Sequence, residues 1–185
     1  MPRIAKLSKA EIADQLTGVF EQYGYDGASL AQLATVSGLS KASLYHHFPK
    51  GKIDMAAYAL GQAGVRLQKL VLAPLSQDIT AKERLESSFE GVMVYYSGKI
   101  PSCLMNSLML GGGRVLFREQ IKTAVAMWQT KLAATYREAT GEGERSAVAW
   151  SSEVVGGIQG ALVLCRVQQS RSPLVSYIKA LKNAL

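Results

Sequence analysis

Apolar residues recur along this chain at three- and four-residue intervals, the period of an amphipathic helix, and nowhere alternate with the two-residue period of a strand. The first run opens at Ser8, where Ser8 and Glu11 stand in the S-x-x-E order of a capping box; Ile12, Leu16, Val19, Phe20 and Tyr23 share one face, and Gly24 supplies a stop. A second run is capped by Ser29 and carries Leu30, Leu33, Ala34 and Val36 to Gly38, where the chain must turn sharply. Ser40 caps a third, on which Leu44 and Phe48 lie one turn apart and make a core face. Lys41, Ala42, Ser43, Tyr45 and His46 are left to front or flank the opposite side. After Pro49-Lys50-Gly51 a long helix is expected over about 52–71, with Ile53, Ala56, Leu60, Leu67 and Leu70 too broadly apolar for an exposed helix. Pro74 marks its end.

Thr80 and Glu83 form another capping box, opening a helix through Leu85, Phe89, Val92, Met93 and Tyr96 to about Gly98. Pro101 breaks the pattern. An apolar segment from Cys103 to Leu110 ends in Gly111-Gly112-Gly113, expected to be a flexible turn before a helix over about 115–140. Further helices are expected over 144–169 and from Pro173, placed for a first turn, to Leu185. The class is all-α. Residues 1–51 form an expected three-helix head, and residues 52–185 a helical bundle whose first helix, 52–72, is the connector.

The stretch from Ser29 to Phe48, two short helices joined by a tight turn, has the helix-turn-helix arrangement, whose second helix enters the major groove N-terminus first. From Ile12 to Lys52, and above all at Leu44-Tyr45-His46-His47-Phe48, the chain resembles the N-terminal domain of the TetR family of bacterial transcriptional regulators. Its tail, Phe48-Pro49-Lys50-Gly51-Lys52, is one residue longer than the commonest family form and resembles the LmrA/YxaF-like subgroup. The resemblance covers roughly the first third of the chain; the rest matches in helical character and length. It implies a sequence-specific DNA-binding regulator, a repressor released from a palindromic operator by a ligand, with Tyr45 and Lys52 at the family's usual groove and phosphate contacts. Ala31 stands where the family sometimes places a base-contacting Arg.

The residues themselves meet the physical needs of a reading head. Ser29, Ser43, His47 and Lys52 lie near helix N-termini or the groove edge and could hold phosphates. Lys41, Tyr45 and His46 can reach base edges, and Ala42 permits close approach. His46 and His47 point about 100° apart on a helix and cannot converge on a metal ion. Gly111-Gly112-Gly113-Arg114 lacks the order of a phosphate-binding loop, and two histidines leave no defensible catalytic set, so neither an enzyme, a metal site nor a cofactor is expected.

Charge changes the picture only locally. Twenty-one basic and fourteen acidic residues among 185 give a net +7 and a pI near 9.5, which suits an anionic partner. Residues 1–60 nevertheless hold six basic and five acidic groups, a net of +1. Placement therefore matters more than total: Arg3, Lys6 and Lys9 in an N-terminal arm, and Lys41, Lys50 and Lys52 around the second motif helix. Cys103 and Cys165 have no metal-ligand spacing and are expected to be reduced. No secretory signal is legible, and the apolar run Val154 to Val167 is shorter than a bilayer span, so a cytoplasmic protein is expected, with no membrane partner.

One head reads too few base pairs to find a site in a genome, so a homodimer on a double-stranded operator is expected. Its interface is expected in the last two helices, where Gly156, Gly157, Gly160 and Ala161 allow close approach and Ile158, Leu162, Val163, Leu174, Ile178 and Leu181 add apolar surface. Met93, Tyr96, Met105, Met109, Trp128 and Trp150 are candidates to line a pocket for an apolar or aromatic effector. Two other classes remain open at this point: a helical small-molecule carrier with a vestigial head, and, more weakly, an all-α enzyme.

Overall fold

The computed structural model describes residues 7–185, so Arg3 and Lys6 of the expected basic arm lie outside the described residues. Nine α-helices follow one another: α1 (Lys9–Gly27), α2 (Leu30–Ser37), α3 (Lys41–His47), α4 (Lys52–Leu67), α5 (Ala81–Tyr95), α6 (Leu104–Leu108), α7 (Gly111–Thr140), α8 (Glu144–Gln168) and α9 (Ser172–Asn183), with no strand among the described residues. They form two compact units, one reaching to Ala63 and taking in Leu104–Arg118, the other made of Gly64–Cys103 and Glu119–Leu185.

In the first unit Ile12, Leu16, Phe20, Leu33, Leu44 and Phe48 are fully buried and form the core of α1 to α3. The Ser8–Glu11 capping box starts α1, the Glu11 carboxylate accepting the Ser8 N–H at 2.8 Å. Gly24 breaks the helix where a stop is expected, with φ 67° and ψ −175°, a conformation that glycine adopts at little cost. Helix α6 packs along α1, and the Ser107 hydroxyl donates to the Glu21 carbonyl at 2.8 Å.

The three glycines 111–113 are not a flexible turn. They form the first turn of α7, because the Asp26 carboxylate at the end of α1 accepts the Gly112 N–H at 2.7 Å and caps the new helix. A Cβ on Gly111 or Gly112 would run into that carboxylate, and one on Gly113 would come within 2.9 Å of the Tyr25 Cβ. The glycines are small so that two helix ends can meet.

In the second unit Phe89, Trp128, Leu132, Ile158, Leu162, Leu174 and Ile178 fill the core. The regular α-helix expected to reach residue 71 ends at Leu67 and widens into a π-turn over Gln68–Leu72. The cause is α5, which crosses closely: a Cβ on Gly91 would overlap the Leu70 carbonyl, and the Ser88 hydroxyl donates to the Val71 carbonyl at 2.8 Å. A side-chain donor thus serves a backbone group that the wider turn sets free. Arg84 pairs with Glu138, and the Arg171 guanidinium donates to the carbonyls of Met93 and Tyr96 at the end of α5.

Tyr96 is buried with its hydroxyl 3.5 Å from the Cys103 sulfur, and burial raises its pKa well above the ordinary tyrosine value. A folded-state pKa that is raised gives stability fully present below the unfolded value of about 10, and lost as pH climbs from there toward the folded one. Urea denaturation at pH 9 and pH 11 is expected to show a fall in stability that is visibly smaller in Tyr96→Phe. The fall does not vanish, because burial also raises Tyr25 and Tyr177. An unchanged pH slope in the variant would contradict this account.

Candidate nucleic-acid interface

The interface candidates lie on α2, α3 and the turn into α4. Ser29 caps α2, its hydroxyl oxygen accepting the Gln32 N–H at 3.2 Å while Gln32 accepts the Ser29 N–H at 2.8 Å. Gly38 closes α2 in the left-handed region, φ 64°, and turns the chain. Ser40 then caps α3 by accepting the Ser43 N–H at 3.1 Å, and the two hydroxyls lie 2.9 Å apart. Both anchors of α3, Leu44 and Phe48, have no exposed surface. Opposite them Lys41, Ala42, Tyr45 and His46 are exposed, and at about 100° per residue they span an arc of roughly 140°. Ser43 and His47 are half-buried at its margins; the His47 ring packs between those of His46 and Phe48.

Tyr45 does not swing freely. Its ring lies on Gly51, where φ is 67° and an added Cβ would be 2.9 Å from the ring edge. The tail between Phe48 and Lys52 thus supplies a flat backbone seat at Gly51. Gly51→Ala combines a positive φ with that clash and is expected to lower stability by about 1–2 kcal/mol. It should also weaken DNA binding beyond what the stability loss explains, as read from urea melts and duplex titrations at matched folded fractions. Unaltered affinity would mean that Tyr45 has no seat to lose.

The basic residues are tied down to different degrees. Lys41 is exposed. Lys52 is half-buried, donating to the carbonyls of Ala28 at 3.1 Å and Asp26 at 3.4 Å and sitting 4.7 Å from the Tyr25 ring centroid. Sequence reasoning gave it phosphate alone; the structure gives it a second task, tying the first turn of α4 to the end of α1. Lys9 lies between the rings of Phe48 and Tyr58. The Lys50 backbone N–H donates to Asp54 at 2.7 Å. Among the described residues no cluster of metal-ligating side chains occurs.

Residues 8–59, which carry α1 to α3 and the first turns of α4, match the family model for bacterial regulatory proteins of the tetR family. Over nearly its whole length the chain is similar to two proteins of Bacillus subtilis (strain 168). The HTH-type transcriptional regulator LmrA is 24% identical, with 96% of each chain covered. The uncharacterized HTH-type transcriptional regulator YxaF is 22% identical, with 91% of this chain and 90% of that one covered. Residues 8–59 thus carry a DNA-binding domain of the tetR family.

Solved structures carry the fold across both units of the chain. A TetR transcriptional regulator from Legionella pneumophila superimposes with a TM-score of 0.81 at 19% identity, covering 98% of this chain and 100% of that one. A cysteine mutant of the TetR-family regulator CifR, solved with a 26-bp operator duplex, gives 0.77 at 17% identity, covering 98% and 99%. Together with the match over residues 8–59, this makes the protein an all-α transcriptional regulator with a TetR-type helix-turn-helix domain.

The other candidate residues divide between the units. Met93, Tyr96, Trp128 and Trp150 belong to the second, where Trp150 stacks on Tyr136 at 4.1 Å. Met105 and Met109 belong to the first, and Met105 is buried where α6 packs along α1. Of the interface candidates, Gly156 and Gly160 face open space on α8. Gly157, Ala161 and Ile178 are used inside the chain. A Cβ on Gly157 would strike the Tyr177 ring, whose hydroxyl donates to the Glu153 carbonyl, while Ala161 and Ile178 are buried. Leu164 and Val167, exposed beside Val163, were missed. Leu164 lies four residues and Val167 seven residues beyond Gly160, and that helical spacing was the available signal.

Proposed function

We propose that the protein is a repressor that binds a palindromic operator as a homodimer and is released by an apolar or aromatic effector. The observation that carries the reading is the exposed arc of Lys41, Ala42, Tyr45 and His46 on a helix pinned from behind by Leu44 and Phe48. In this reading Lys41, Tyr45 and His46 reach base edges and Ala42 admits the helix to the groove; Ser29, Ser43, His47 and Lys52 set register on the phosphates. Lys52 has one N–H left beyond its two carbonyl partners for that purpose. Residues 1–51 are the DNA-binding domain; residues 52–185 serve ligand binding and dimerisation, with 52–72 as connector.

Dimerisation is assigned to the outer face of α8, where Val148, Gly156, Gly160, Val163, Leu164 and Val167 are exposed at helical spacing, with Val175 of α9 also exposed. Helix α8 is long and apolar enough to cross a membrane by length and composition, with 39% of its most apolar window buried. A core face and a partner face on one helix account for that apolarity, so the protein is read as cytoplasmic. The supports for DNA binding by this chain include the CifR relative, which was solved with operator DNA. An effector held among Met93, Tyr96, Trp128 and Trp150 would shift the connector and change the distance between the paired heads.

Selection of duplexes from a random pool at two salt concentrations tests the reading. A palindrome enriched at both supports a dimeric, sequence-specific regulator. Binding that enriches nothing and vanishes as salt rises would reduce the head to a non-specific electrostatic contact and favour a carrier.

A further inference from the structure

Trp128 lies on the inward side of α7, with 1% of its surface exposed, and its indole N–H has no hydrogen-bond partner. Two arginines share the second unit with a comparable unpaired atom, the Nε of Arg84 and of Arg171. They differ in kind. Arg84 keeps Glu138 and the Leu75 carbonyl, and Arg171 keeps the carbonyls of Met93 and Tyr96, so each guanidinium is held by its other nitrogens. An indole has a single donor and no second chance. Buried tryptophans usually satisfy that donor, and leaving it unpaired carries the full desolvation penalty of the group.

No group among the described residues accepts the indole N–H. Helix carbonyls keep a second lone pair beside the ladder bond, and none of them accepts this N–H. The buried hydroxyl of Thr135, further along the same helix, donates to the Lys131 carbonyl at 2.9 Å and does not accept the indole N–H either. In an all-helical core, an acceptor for an inward-facing N–H comes most readily from a molecule that enters. Trp150 is engaged differently, stacked on Tyr136 and near Phe89.

We propose that the effector is an aromatic or apolar molecule carrying a hydrogen-bond acceptor oxygen, a carbonyl, ether or phenolic oxygen, to which the Trp128 indole N–H donates. This rests on the effector reading given above and narrows it: a plain hydrocarbon of the same shape fills the site without the bond. Trp128 is then the specificity-determining residue of the pocket.

The test uses two probes of nearly identical shape, 2-acetylnaphthalene and 2-isopropenylnaphthalene, which differ by an oxygen in place of a methylene. Affinities come from equilibrium dialysis against the full chain, and the indole N–H signals from proton–nitrogen NMR, with Trp150→Phe assigning the two resonances. The ketone is expected to bind about tenfold tighter than the alkene, the ratio typical of one net hydrogen bond to a buried donor, and to move the Trp128 indole proton downfield where the alkene does not. In Trp128→Phe the ratio should fall to near one. Equal affinities in the unsubstituted chain, or a ketone preference without movement of the Trp128 signal, overturn the assignment and leave the pocket standing. Failure of both probes to bind up to their solubility overturns the aromatic-effector reading, and this inference with it.

Discussion

Replacing Gly91 with alanine is expected to cost about 3 kcal/mol or more, although the change adds a single methyl and improves helix propensity. The new Cβ would overlap the Leu70 carbonyl, and the obstacle is backbone rather than a side chain that can turn aside. The π-turn over Gln68–Leu72 is held by the same contact and by Ser88, so one of two helices must shift. Urea denaturation should show a lower midpoint with an unchanged slope. Gly61→Ala supplies the control. Gly61 is inside α4 with nothing near its missing Cβ, and the substitution should raise stability by up to about 1 kcal/mol. If the two variants behave alike, the close approach of α5 to Leu70 is not a feature of the protein in solution.

Phe48→Ala is the second large effect. The ring is fully buried, meets Tyr58 edge-on at 6.0 Å and supports the Lys9 ammonium, and its removal should cost about 3–5 kcal/mol. Because Phe48 anchors α3 from behind, affinity should fall on every duplex alike, random or selected, with no change in which bases are preferred. That outcome separates a residue that holds the reading helix from one that reads. Retention of high affinity would mean that α3 does not depend on its inner face for position.

Local chemistry made much of this fold legible. The Ser8–Glu11 and Thr80–Glu83 boxes, the Ser29 and Ser40 caps and the left-handed Gly38 all depend on residues within a few positions of one another, and each stands where its spacing places it. The failures have one physical source, partners distant along the chain. Gly111 to Gly113 look like a loop until Asp26, 86 residues from Gly112, is found to cap them. The end of α4 looks regular until Gly91 and Ser88 press on the Leu70–Val71 backbone. Lys52 looks like a free cation until the carbonyls of Asp26 and Ala28 occupy it.

The site was legible to a similar depth. Helical spacing alone left Lys41, Ala42, Ser43, Tyr45 and His46 to front or flank the side away from Leu44 and Phe48, and the structure exposes all of them except Ser43, which is half-buried. It could not show that the Tyr45 ring rests on Gly51, a contact between two elements. On α8, small residues drew the eye to Gly157 and Ala161, yet a small residue permits close approach by the same chain as readily as by a partner. Only burial separates Gly156 and Gly160 from them.

The central claim is that the exposed face of α3 reads bases, and duplex selection run in parallel on the unsubstituted protein and Lys41→Ala tests it most directly. Lys41 is exposed, and its removal should leave stability within about 0.5 kcal/mol. The account predicts a palindrome in both selections, with preference relaxed in Lys41→Ala at one pair of symmetry-related positions and kept elsewhere. Identical preferences from the two proteins, or a uniform loss of affinity with no positional change, would contradict it.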